Sequence, residues 1–287
     1  MFNTNLIHAV ENFTRLILPL TEKDLEREWK WKDHDEEGIR FACFVTLQEL
    51  RQLAVTLSAP STTLRTKPTP AQHILNQYHA AYLDLQAAIL GLSPEDADRI
   101  PAEGEWHVRR VYSHILGADI GFTAVVRFAL EGHRAGTWKR DPMSDEDEAR
   151  LVGMNEEQYK ALINGPLDGM LAYHREFHPA ILEEFSKITD DELGLPSTFW
   201  EETRFPIRHR LHRYEAHYVQ HTIQIDKTLV AIGQAPSESK QLIRKIYAAL
   251  AEAEGTMIGA EKMDDAAILA TASSIAERTE EIGNLLG

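Results

Sequence analysis

The chain has 287 residues, 43% of them hydrophobic, enough to bury a sizeable core as one large domain or one domain with appendages. Thirty Lys and Arg against 45 Asp and Glu leave a formal charge of −15, which excludes nucleic acid and membrane surfaces as general partners while leaving room for a small anion to dock locally. The single cysteine, Cys43 in the apolar run IRFACFVTL, excludes an internal disulfide and any multi-cysteine zinc site, and reads as a buried inert thiol.

The first twenty residues, MFNTNLIHAVENFTRLILPL, lack a basic leader and an uninterrupted apolar run, and Glu11 interrupts their most hydrophobic part. They are expected to be neither a signal peptide nor a membrane span, which points to the cytoplasm. Strand signals are almost absent, whereas helix caps and apolar spacing of 3.6 residues recur, so the chain is expected to be all-α. A first helix is predicted over residues 5–17, stopping before Pro19. Thr21 with Asp24 then caps a second, KDLEREWKWKDHD, and a third covers residues 37–58.

The run APSTTLRTKP, rich in Pro, Ser and Thr, is the best internal boundary. Four long helices are expected after it. Thr69 as N-cap and Pro70 at the first helical position open one that ends at Gly91. The next spans residues 107–131 and stops at Gly132; HRAGTWKRDPMSDEDEARLVG follows, a crossover of roughly twenty residues that is too long for a simple antiparallel turn. Its acidic SDEDEAR reads as a solvated loop or helix start. The third covers residues 155–188 with breaks or kinks at Gly165-Pro166 and Pro179, and the fourth runs from about Pro206 to Gly233. Two Ala-rich C-terminal helices, residues 238–254 and 264–286, read as a packing hairpin. The resulting domains are an N-terminal helical extension (1–58), a bundle (69–233) and a C-terminal hairpin (238–287).

The chemistry lies in the histidines. On a helical wheel the fourth bundle helix has an apolar stripe of Ile207, Leu211, Tyr214, Tyr218, Ile225 and Leu229, flanked by His217 and His221. Four residues apart, these two stack on one face and can share an ion. The second bundle helix has a stripe of Val108, Val111, Ile115, Phe122, Val126 and Ala129, with His114 at its margin. Gly117 and Gly121 nearby each cost about 1 kcal/mol in a helix relative to Ala, which implies a close neighbour or a cavity over that ring. Three neutral imidazoles from facing helices would leave coordination positions open, as catalytic sites require, and suit zinc, nickel, copper or iron.

Two motifs, EWHVRRVYSHILGAD around His114 and HRYEAHYVQHTIQI around His217 and His221, resemble the DinB-like (DinB/YfiT) superfamily over about residues 69–233. The resemblance implies a four-helix bundle binding zinc or nickel through these three histidines. It also implies conjugation or isomerisation assisted by a low-molecular-weight thiol, and a tendency toward homodimers. Hydrolysis by activated water is the direct competitor. The alternative is a non-catalytic, stress-associated binding module with a structural or vestigial metal.

Around the trio, Asp119, Gln224 and Glu215 are candidates to orient a ligand, although Asp119 lies about 140° round the wheel from His114. Tyr214 adjoins the site in sequence. The run RFPIRHRLHR gathers Arg204, Arg208, Arg210 and Arg213, of which Arg210 and Arg213 lie near the azimuth of His217 and are candidates to hold a substrate carboxylate. A second i, i+4 pair, His174 and His178 in HREFH, lacks a third ligand at favourable spacing. Arg175 and Glu176 beside it suggest an exposed segment. The remaining histidines, His79 among them, read as surface or packing residues, and the five tryptophans as core or pocket wall, with Trp106 anchoring the second bundle helix.

Overall fold

The computed structural model describes residues 2–34, 38–59, 67–139, 143–199 and 203–287. Within them the regular secondary structure is almost wholly helical, and no helix among the described residues is long and apolar enough to cross a membrane. It divides into two compact units. Residues 60–66 of the predicted linker (59–68), the start of the third predicted helix at Glu37, and Trp200 lie outside the described residues.

One unit combines Met1–Lys67, Gln86–Gly91 and Ala235–Gly287. It contains α1 (Thr4–Ile17), α2 (Glu22–Leu25) and α3 (Gly38–Ser58) from the N-terminal part, with α11 (Glu238–Gly255) and α12 (Asp265–Leu286) from the C-terminal part. The two C-terminal helices do not make a self-contained hairpin: α11 packs mainly on α3, and α12 on α1 and α3. The expected separate extensions thus share one core. Arg278 of α12 is fully buried there, donating to Thr46 Oγ1 at 2.6 Å and Glu49 Oε2 at 2.7 Å, with its guanidinium 4.7 Å from the Trp31 ring centre.

The second predicted helix is only one turn long. Trp29 and Trp31 are both buried, with ring centres 5.8 Å apart. Residues i and i+2 do not share a helix face, so the chain leaves the helix to bury both. Cys43 is buried as expected, and burial pushes its thiol up to about 12, far from a reactive thiolate.

The other unit, Pro68–Leu85 and Leu92–Gln234, is the bundle. Its long helices are α4 (Pro70–Ile89, whose residues to Leu85 belong here), α6 (Val108–Arg134), α9 (Leu167–Phe185) and α10 (Ile207–Ala231). Short α5 (Pro94–Asp98) precedes α6, while α7 (Asp145–Val152) and α8 (Glu156–Ile163) occupy the crossover between α6 and α9. The acidic run proves to be a helix start, α7, capped by Ser144.

Several ends follow from local chemistry. Thr69 and Gln72 form a reciprocal cap at α4, the His107 side chain accepts from Arg110 N at the head of α6, and Gly165-Pro166 separates α8 from α9. Gly132 does not end α6. A Cβ there would lie 3.0 Å from Trp138 Cα, so this glycine permits a close approach, and Gly136 (φ +67°) follows the helix end instead. Pro179 sits inside α9 without ending it. Before α10, β1 (Pro196–Ser197) pairs antiparallel with β2 (Phe205–Pro206), pinning the loop that leads into that helix.

Candidate metal centre

The stripes of α6 and α10 bury as their periodicity requires: Val108, Val111, Ile115, Ile207, Leu211, Tyr218 and Ile225 are all inaccessible. Packing these stripes together turns the flank of each helix toward the other. His114 arrives from α6, and His217 and His221 from successive turns of α10. His114 Nε2 lies 3.1 Å from His217 Nε2, and ring centres are 4.9 Å (His114 to His217), 4.7 Å (His114 to His221) and 4.4 Å (His217 to His221) apart. One nitrogen from each ring falls within 4.8 Å of the others. Two imidazole nitrogens on a tetrahedral zinc would stand about 3.3 Å apart, given zinc to nitrogen distances of about 2.0 to 2.1 Å.

The electrostatics match a cation site. Burial and, next, the neighbouring His221, His114 and Arg213 hold the His217 imidazole down at about 3, and burial with His221 lowers His114, so both rings are neutral and carry free lone pairs near pH 7. Gln224 Oε1 accepts from His221 Nδ1 at 2.8 Å, leaving His221 Nε2 as the unprotonated nitrogen. His217 Nδ1 is buried with no hydrogen-bond partner among the described residues. The Trp106 ring meets His114 edge-on at 5.5 Å, and Arg110 lies over the same indole at 4.7 Å. Trp106 is therefore a pocket wall beside the start of α6.

The trio opens on a cavity of about 640 Å³. Its walls include Trp106, Phe122, Tyr159, Ile163 and Phe199; among the described residues that line it, the charged ones are Arg110 and Arg213 and none is a carboxylate. Gly117 and Gly121 also face it, and their role is explicit. A Cβ at 117 would lie 2.8 Å from Tyr159 Oη, and one at 121 would lie 3.7 Å from Phe199 Cζ. Arg110, Tyr159 and Phe199 escape sequence reasoning. Two come from the crossover and the loop before α10, where no periodicity reports direction; Arg110 could have been found as the residue four before His114 on the same helix face.

Other candidates lie elsewhere. Arg210 is buried rather than facing the cavity, its Nε donating to Ser197 Oγ at 3.0 Å and its guanidinium 5.3 Å from the Phe205 ring centre. It supports the loop ahead of α10. Tyr214 points inward to Thr123 Oγ1 at 2.8 Å. Asp119 does not orient a member of the trio; it is the hub of an interior network.

That network overturns the exposed reading of HREFH. His174 and His178 are fully buried. Asp119 Oδ2 accepts from Tyr78 at 2.7 Å and Tyr218 at 2.5 Å and lies 3.2 Å from His174 Nε2, while His174 Nδ1 pairs with the Tyr112 hydroxyl at 2.7 Å. His178 Nε2 pairs with His79 Nδ1 at 3.0 Å and stacks on Tyr82 at 3.8 Å. Side chains from α4, α6, α9 and α10 all take part, so the network ties the four bundle helices together. Burial lowers His178 well below the usual histidine range, helped by His79 and His174.

Among known proteins, the family model described as the DinB superfamily matches residues 77–225, more than half of the chain, and spans all three members of the trio. No curated protein and no solved structure matches. The match covers α6 and α9 and most of α4 and α10, the helices that build the bundle and carry the three histidines. The chain belongs to the DinB superfamily.

Proposed function

We propose that this protein is a metal-dependent enzyme, with a divalent ion, zinc or nickel, held by His114, His217 and His221. It would act on a small anionic substrate by transfer, isomerisation or hydrolysis, with water or a low-molecular-weight thiol as the activated group. The observation that carries the reading is the convergence of three imidazole nitrogens from two helices at the wall of an open cavity. Three protein ligands leave room for an exogenous one, the arrangement of catalytic rather than structural zinc. When bound, such an ion lowers the pKa of a coordinated water or thiol toward neutrality.

The chain's own residues supply the rest. Gln224 fixes the His221 tautomer and ring orientation. Arg213 and Arg110 give the cavity a positive lining in a chain of charge −15, which favours anions over cations as substrate. The aromatic walls reduce water around the reacting group and strengthen those charges.

The test is the metal content of protein purified without a histidine tag, alongside His217→Ala and His221→Ala. The proposal requires about one ion per wild-type chain and a loss in both variants; unchanged content in the variants contradicts it. The apoprotein should still unfold cooperatively, at a melting temperature lower only by the linkage of metal binding; an apoprotein without a cooperative transition would make the ion structural instead. A homodimer is the proposed assembly, read by light scattering.

A further inference from the structure

We propose that the Tyr159 hydroxyl is the hydrogen-bond donor that meets a small anion taken up at the histidine trio, an inference that rests on the metal-centre reading above. Three observations converge on this residue. Helix α8 has no fully buried residue, and its half-buried positions, Tyr159, Leu162 and Ile163, form the one face turned inward. Tyr159 is the only hydroxyl on that face. A phenylalanine would pack equally well there, so packing alone leaves the hydroxyl unexplained.

The hydroxyl also occupies a place that the sequence clears for it. A Cβ on residue 117 would stand 2.8 Å from Tyr159 Oη, so any residue but glycine there pushes the phenol away. Glycine in mid-helix costs about 1 kcal/mol relative to alanine. Residue 117 is three positions beyond His114, and side chains at that spacing begin about 5 to 6 Å apart on one helix face. The phenol oxygen therefore sits one turn along from a proposed ligand, within the same cavity.

Its chemistry suits a donor. Burial, then the Glu148 carboxylate, raises the phenol above its ordinary value, so it keeps its proton at neutral pH. No hydrogen bond joins that oxygen to a described residue, and no carboxylate is among the described residues that line the cavity of the trio; Glu148, whose charge the phenol feels, shares a separate pocket with Tyr159. Among the described residues, both charged side chains on the cavity wall are cationic, so the species expected to settle there is an anion with lone pairs to accept.

The experiment loads the full-length apoprotein with Co²⁺ and titrates it with azide, following the visible bands of the cobalt centre. Wild type is expected to bind both. Tyr159→Phe should weaken azide about five- to tenfold, the loss of one hydrogen bond to a charged partner, with Co²⁺ affinity unchanged. Gly117→Ala, whose methyl displaces the hydroxyl, should weaken azide likewise and carries the comparison if the phenylalanine variant does not fold. Equal azide affinity in wild type and the folded variants, or no azide response in cobalt-loaded wild type, overturns the role of Tyr159 while leaving the metal centre standing. Equal Co²⁺ uptake by wild type and His217→Ala overturns the metal centre, and the inference with it.

Discussion

Two histidine pairs with identical spacing lie on two long helices of the bundle, His217/His221 on α10 and His174/His178 on α9, and their surroundings give them opposite chemistry. The first pair meets a third imidazole at the edge of a cavity, with nitrogens converging and no carboxylate among the described residues that line it. The second is sealed in the core, where both nitrogens of His174 are already engaged by Tyr112, Tyr218 and Asp119. An i, i+4 spacing thus states only that two rings share a face. Whether they ligate depends on whether their nitrogens are committed elsewhere.

This contrast can be broken experimentally at several points. The largest effect is expected from Asp119→Ala, which strips the buried hub from three donors. Removing one partner of a buried polar network typically costs about 3 to 5 kcal/mol, to be read in urea unfolding, while metal affinity of the folded fraction should change little. A large loss of metal affinity with unchanged stability would merge the two clusters into one functional unit. Next, His217→Ala should reduce metal affinity by more than the roughly 10- to 100-fold that loss of a supporting group produces, with cooperative unfolding retained. His174→Ala should do the reverse.

The pH dependence of the apoprotein sharpens the same comparison. His217 and His178 both have folded values below the ordinary 6.5, so the unfolded chain binds protons more readily than the folded one. Their stabilisation is complete above pH 6.5 and is lost as the pH falls toward their folded values. Between pH 6.5 and 5, His217 alone should withdraw about 2 kcal/mol, visible as a falling urea midpoint. A midpoint that rises over this interval contradicts the neutral-ring assignment. The smallest effect is expected from Gln224→Ala, which frees the His221 ring and should weaken metal binding about tenfold in a competition titration.

Much of this was legible in the sequence. Caps and breakers placed α1, α4, α10 and both C-terminal helices to within a few residues, because each boundary is a local event: Asn3 and Ser237 accept from the first-turn amides, and Gly91 and Gly233 take positive φ. The trio was legible because its members sit at the edge of apolar stripes whose partners periodicity identifies. The interior network was not, because Arg175 and Glu176 report the outer face of α9 and say nothing of the inner one. The signal was present in the stripe itself: Met170, His174, His178, Ile181 and Phe185 follow one helical row and are all buried. Asp119 was misassigned for a related reason. Proximity in sequence to His114 suggested a supporting carboxylate, but its azimuth turns it toward α4 and α9. Tyr159 and Phe199 come from connecting segments, whose direction is set by tertiary packing alone.

What separates a metal centre from a merely packed bundle is where a cation settles. Anomalous diffraction from crystals of untagged protein, collected at the absorption edge of its bound metal, tests it most directly. A single strong peak is expected about 2.0 to 2.1 Å from Nε2 of His114, His217 and His221. A peak between His174 and His178, or none beside the trio in metal-replete crystals, would contradict it.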